Sequence, residues 1–131
     1  MSDTHRVAAL VLRVDGSLRF VPAAVALRVA PPPRVTPVPG APSSLVGVTL
    51  HRGTIIPVIS IGAVRREMVV CQHGVEIFGL IGAEVVCAGS FNASPENPQR
   101  VELEREHVEP LDVVALYAQV QSSTRPGRWG N

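Results

Sequence analysis

Leu45-Val46-Gly47-Val48-Thr49-Leu50-His51-Arg52-Gly53-Thr54-Ile55-Ile56-Pro57-Val58-Ile59-Ser60-Ile61 is the stretch whose reading decides the fold. Two apolar runs, each short enough for a strand, meet at the polar pair Arg52-Gly53. That pattern reads as a β-hairpin displaying one arginine at its tip. Pro57 removes a backbone donor, so the second strand is expected at a sheet edge or at a bulge.

The flanking sequence repeats the theme of short strands and tight turns. From Arg6 to Val14, Ala8, Leu10, Leu12 and Val14 form one apolar face and Val7, Ala9 and Val11 a second, so both faces are expected to be covered. Asp15-Gly16 then signals a type I′ hairpin turn, Ser17 to Val21 returns, and Ala24 to Val29 makes a third strand. Residues 30–42 hold six prolines, which forbid helix and interior strand. With Val35 and Val38 interspersed, this segment reads as an ordered, extended loop wrapped on the domain, and Ser43 to Leu45 as one helical turn.

Beyond a short link from Gly62 to Arg66, strands are expected from Glu67 to Gln72, Val75 to Leu80 and Ile81 to Val86, with His73-Gly74 as a turn. Phe91 to Gln99 is a polar surface loop. Val101 to Val108 alternates Val101 and Leu103 against Glu102, Glu104 and Glu106, as an edge strand with an acidic outer face does. Pro110 to Val120 reads as a short helix or a strand, since Leu111, Val114, Leu116 and Val120 suit neither period perfectly. About nine strands at near-regular spacing define an all-β protein, a barrel or a pair of barrels. Residues 1–121 read as one domain and residues 122–131, poor in apolar side chains, as a disordered tail.

Composition narrows the function. The 131 residues carry a net charge of +1, yet residues 1–66 balance at +6 and residues 67–131 at −5. All twelve basic side chains are arginines, scattered singly along strands rather than clustered with aromatics, which argues against a nucleic-acid surface. Two cysteines, no signal-like start and no apolar run near the roughly 20 residues that span a bilayer suggest a cytoplasmic protein with reduced thiols and no membrane insertion. Cys71, His73, Cys87 and His51 lack zinc-site spacing, so no metal is expected. His107 beside Glu106 and Glu109, or Ser60 near His51, has no orienting third group, and no phosphate-binding glycine motif is present. No enzyme and no cofactor are expected. An OB- or SH3-like nucleic-acid module stays as an alternative all-β reading, and Trp129 with Arg125 and Arg128 as a possible docking tail.

The order Val35-Thr36-Pro37-Val38-Pro39-Gly40-Ala41-Pro42, Leu45-Val46-Gly47-Val48-Thr49, Arg52-Gly53 and Ile56-Pro57-Val58-Ile59 resembles the CheW family. This family comprises chemotaxis coupling proteins and the homologous domain of CheA kinases. Phe78-Gly79-Leu80-Ile81 and Pro110-Leu111-Asp112-Val113 follow in the order the family shows, so the resemblance spans roughly residues 6–120. It implies two intertwined, five-stranded, SH3-like barrels without catalysis, binding the signalling tip of a chemoreceptor and a CheA-type histidine kinase. Carried across by position, it makes Gly47, Val48, Thr49, Arg52 and Gly53 receptor-facing, with His51 and Arg28 as their neighbours. An arginine on a tight turn offers five fixed donors to a partner's carboxylates or carbonyls.

The departures from the family pattern are specific. Leu50-His51 stands for Asn-Leu, Ser60 for Asp, Gly82-Ala83 for Val-Asp, and Arg28 for an acidic residue that faces the turn arginine. The link from Ile61 to Glu67 is too short for the family's connecting helix, and the region after Phe91 is compressed. The second barrel is therefore expected to be trimmed. The alternative to a full coupling role is a receptor-only adaptor that has lost part of its kinase-docking surface, and self-association is a further possibility raised by the charge split.

Overall fold

The computed structural model describes residues 6–94, 100–103 and 106–123. In these the chain forms strands β1 (Arg6–Val14), β2 (Ser17–Pro22), β3 (Ala26–Ala30), β4 (Leu45–His51), β5 (Thr54–Ser60), β6 (Val64–His73), β7 (Glu76–Gly82), β8 (Glu84–Asn92), β9 (Val101–Leu103) and β10 (Glu106–Pro110), then helix α1 (Val113–Ser123). They build two five-stranded sheets, ordered β8-β1-β2-β10-β9 and β3-β6-β7-β5-β4. The chain lays down two strands of the first sheet, all of the second, and then returns to complete the first.

The first sheet partly closes on itself, because an isolated bridge from Ala93 to Val101 brings the end of β8 to β9. The second remains open, with β3 and β4 at its edges. The expected pair of barrels is thus realised as two five-stranded sheets, one partly closed and one not. No strand has been lost from either sheet. The economy lies in the three-residue β9 and in the β5–β6 link, where Ile61, Gly62 and Ala63 leave no room for a helix.

Alternation along the strands sends neighbouring side chains to different cores. Ala9 and Val11 of β1 join Phe20, Val101 and Val108 inside the first sheet. Ile56, Val58, Met68, Val70 and Ile81 fill the inside of the second. The residues between them, Leu10 and Leu12, Ile59, Val69, Cys71, Phe78 and Leu80, meet in a shared layer between the sheets. That is why β1, β6 and β7 read as continuous apolar runs: both of their faces are buried. Burial also pushes the Cys71 thiol up to about 12.

Helix α1 completes the shared layer with Val113, Tyr117 and Val120. Asp112 caps it, its Oδ1 accepting from the Ala115 amide at 3.0 Å and its carbonyl from the Leu116 amide at 3.1 Å. The Tyr117 ring stacks on Phe78 with centroids 4.4 Å apart, and its hydroxyl donates to Glu76 at 2.9 Å. Desolvation first, and the hydrogen bond to Glu76 second, raise the Tyr117 phenol to about 12.

The structure corrects several sequence expectations. β5 is interior, paired with β4 on one side and β7 on the other; Pro57 is tolerated because the β5–β7 ladder begins only at Val58. The run expected from Val101 to Val108 is two antiparallel strands, β9 and β10, and β10 continues into a parallel pairing with β2. The turn expected at His73-Gly74 falls at Gly74-Val75, and β8 starts at Glu84 and reaches Asn92, shortening the expected loop. Gly82 ends β7 in a left-handed conformation (φ 108°), its Cα packed so closely on the Gly62 backbone that a side chain would collide, and Ala83 alone separates β7 from β8. Residues 124–131, the expected tail with Trp129, lie outside the described residues, while Ser122 and Ser123 end α1.

The two raised groups set a pH dependence. Each stays protonated in the folded chain at a pH where the unfolded chain ionises, Cys71 from near 9 and Tyr117 from near 10. Their contribution to stability is complete below pH 9 and is lost as pH rises toward 12. Urea midpoints measured at pH 8 and pH 11 should fall across that interval. Tyr117→Phe should cost about 1 kcal/mol at pH 8 through the lost hydrogen bond and should make the alkaline fall shallower.

Candidate functional site

The β4–β5 hairpin closes with His51 opposite Thr54 and Arg52-Gly53 as its two-residue turn. Both turn residues have positive φ, 50° for Arg52 and 81° for Gly53, as a turn matching the strand twist requires. The β1–β2 turn at Asp15-Gly16 does the same, with 48° and 87°. Aspartate tolerates that conformation easily; arginine does not, and holding it there costs on the order of 1 kcal/mol. Arg52 is exposed and has no hydrogen-bond or ion-pair partner among the described residues. On either side of it Leu50 and Ile55, directly opposite each other, are 70% and 69% exposed.

The proline-rich segment supports this hairpin. Thr36 and Val48 exchange both backbone hydrogen bonds, at 2.8 and 2.9 Å, so the segment covers part of the β4 edge. Buried Thr49 donates its hydroxyl to the Arg34 carbonyl at 2.8 Å. Gly47 lies beneath Thr36, whose carbonyl occupies the space a Cβ would take. Between the strap and the hairpin runs a cleft of about 550 Å³, lined by Pro31, Pro32, Pro33, Arg34, Thr49 and His51 among others. Nε2 of the half-buried His51 is buried without a partner.

The residues singled out in the sequence therefore separate into groups. Arg52 and Gly53 stand exposed at the tip; Val48, Thr49 and His51 line the cleft; Gly47 holds the strap against β4. Arg28 is elsewhere. It sits on the edge strand β3, paired with β6, and lines a second depression against β1 and β8. Leu50 and Ile55 were missed as surface residues. The two-residue turn places them opposite each other, but nothing in their hydropathy says that this face lacks a cover.

Groupings that would suggest chemistry are dispersed. Cys71 packs in the layer between the sheets and Cys87 against the inside of the first sheet, and no group of three metal-ligating side chains occurs among the described residues. Ser60 donates to the Gly62 carbonyl at the far end of β5 from His51. The His107 side chain lies outside the described residues. Phe20, Phe78 and Tyr117 are buried, so none of them offers a stacking platform. No helix among the described residues is long and apolar enough to cross a membrane.

Two interlocked five-stranded β-sheets with an exposed arginine turn define the class as an all-β domain, in which no catalytic group is assembled among the described residues. The CheW-like domain model matches residues 8–102, and the chain belongs to this family of non-catalytic scaffold and adaptor proteins of chemotaxis signalling. Among solved structures, the chain is similar to the scaffolding protein TtCheW from Thermoanaerobacter tengcongensis. The likeness covers 79% of this chain and 87% of that one, with a TM-score of 0.65 at 16% identity, and so speaks for the fold. No curated protein sequence matches.

The strap makes a prediction of its own. Gly47→Ala should push Thr36 off β4 and destabilise the chain by about 1–3 kcal/mol, whereas Gly53→Ala, with open space around its Cα, should cost only the strain of its positive φ, about 1 kcal/mol. Urea unfolding of both variants checks the difference.

Proposed function

We propose that this chain couples the signalling tip of a chemoreceptor to a CheA-type histidine kinase in the cytoplasm, with the hairpin and cleft as its receptor-facing surface. The observation that carries the reading is Arg52. It is held in a strained conformation, exposed and without a partner among the described residues, between two exposed aliphatic side chains. Strain of this kind persists where the surrounding structure imposes it, and here it presents five donors beside an apolar contact area. In the proposed site Arg52 binds carboxylates or carbonyls of the partner, Leu50 and Ile55 supply contact area, and Gly47, Val48, Thr49, His51 and Gly53 shape the surface. Membership of the CheW-like family supplies the class of partner.

A second reading, an adaptor that binds receptor without coupling it to kinase, draws on the short β5–β6 link, which leaves the connecting helix out. Pull-downs with a receptor signalling-tip fragment and with the kinase regulatory domain separate the two. Binding to both supports coupling; binding to the tip alone supports the receptor-only adaptor. Arg52→Glu should weaken tip binding by about tenfold or more, a loss of about 1.4 kcal/mol or more, without shifting the urea midpoint downward. Unchanged tip affinity would remove Arg52 from the site.

A further inference from the structure

The proline-rich strap stops short of closing the strand edge that it covers. β4 is an edge strand, and its antiparallel pairing with β5 alternates, so every second residue turns its N–H and C=O outward. Val48 is one of these, and Thr36 of the strap takes both of its groups. Leu50 is the next. Arg34 would come level with it if the strap ran on, but the Arg34 carbonyl instead accepts the Thr49 hydroxyl at 2.8 Å. Pro31, Pro32 and Pro33 before it have no N–H to offer. Leu50 therefore has no backbone partner on its outer side among the described residues.

That outer side opens into the cleft between strap and hairpin. Leu50 and Ile55 both line the cleft, stand directly opposite each other on β4 and β5, and are 70% and 69% exposed. The cleft volume of about 550 Å³ lies within the roughly 300–1,000 Å³ of ligand sites. An open strand edge beside exposed aliphatic side chains is a template for a further strand. An added strand gains main-chain hydrogen bonds from the edge and side-chain contacts through alternate residues. Charge narrows the choice of strand. Arg34 lines the cleft and Arg52 stands at the adjoining tip, both exposed and without an ion pair among the described residues, and no carboxylate lines the cleft.

We propose that the cleft receives an extended acidic segment of a partner protein, which adds to β4 as a strand level with Leu50. One residue of the segment exchanges both backbone hydrogen bonds with Leu50, as Thr36 does with Val48, and its aliphatic side chain covers Leu50. Carboxylates next to it in the segment pair with Arg34 and Arg52. The prolines have a definite part in this: because they cannot pair with β4 themselves, the edge stays open for the incoming chain. The occupant is a linear segment whose binding is read on this chain alone, apart from the adaptor reading. By covering Leu50 it competes with any partner that uses the hairpin tip.

Amide hydrogen exchange of the full chain, followed residue by residue by NMR, tests this with three capped pentapeptides. The first alternates valine and glutamate, with valine at both ends; the second has lysine for each glutamate; the third is the first with every valine nitrogen methylated. Without peptide, the Leu50 amide should exchange much faster than that of Val48, which is bonded to Thr36. The glutamate peptide should protect Leu50, and the lysine and N-methylated peptides should not. Arg34→Glu, a change at an exposed side chain, should leave the urea midpoint unchanged and weaken binding of the glutamate peptide by about tenfold. No binding of the glutamate peptide, binding that leaves Leu50 unprotected, equal protection by either control peptide, or unchanged affinity in Arg34→Glu overturns the assignment. So does a Leu50 amide that is already slow in the free chain because two copies pair through this edge, seen as a dimer by sedimentation. Each of these outcomes leaves the adaptor reading standing, since the pull-downs read tip binding separately.

Discussion

The apolar layer between the two sheets is the constraint on which the rest of the molecule depends. Each sheet could fill its own interior with one face of its strands, but β1, β6 and β7 also commit their opposite faces to the shared layer. At about 25 cal/mol per Å² of apolar surface removed from water, two-sided burial makes these strands the densest source of stability in a chain of this length. It also fixes how the sheets sit against each other, since a one-residue slip in any of these strands would exchange the contents of two cores. Helix α1 seals the layer through Tyr117 stacked on Phe78, so the last of the described elements joins β7 to the core of both sheets.

This rigid centre leaves the rims free for function. The Arg52 turn stands at the far end of the β4–β5 hairpin, beyond the last buried side chains of either strand. The proline-rich segment holds it in place through one bridge at Thr36 and one side-chain bond from Thr49, with prolines that have little conformational entropy to lose. At the other edge of the same sheet, Arg28 faces an alanine-lined depression. The two exposed surfaces thus belong to opposite edge strands of one open sheet, and their openness follows from that sheet's failure to close. The first sheet, partly closed by the Ala93–Val101 bridge, has no comparable free edge there.

Surface charge has a lesser part. Arg13 and Arg66 converge on Glu84 at 3.7 and 3.2 Å, and Arg100 pairs with Glu109, but all of these side chains are substantially exposed. Pairs of that kind contribute about 0–1 kcal/mol each. The separation of basic and acidic halves along the sequence therefore governs which partners approach more than it governs folding.

Local chemistry alone determined a good deal: the all-β class, the hairpins at Asp15-Gly16 and Arg52-Gly53, the ordered proline strap and the two-sided burial of β1 were all legible, because φ preferences and side-chain alternation act within a few residues. The C-terminal helix was ambiguous because Leu111, Val114, Leu116 and Val120 fit no single period. The cap at Asp112 and the set Val113, Tyr117 and Val120 resolve it once the shared core shows which face is wanted. The site was legible only in part. Arg52 could be placed at a tip from its turn, but the strand order decided that β5 is interior despite Pro57, that Arg28 lies on the opposite edge from Arg52, and that Leu50 and Ile55 have no cover. Those facts depend on pairings between residues far apart in the chain, and the physical reason is that burial is a property of what the rest of the fold brings against a side chain.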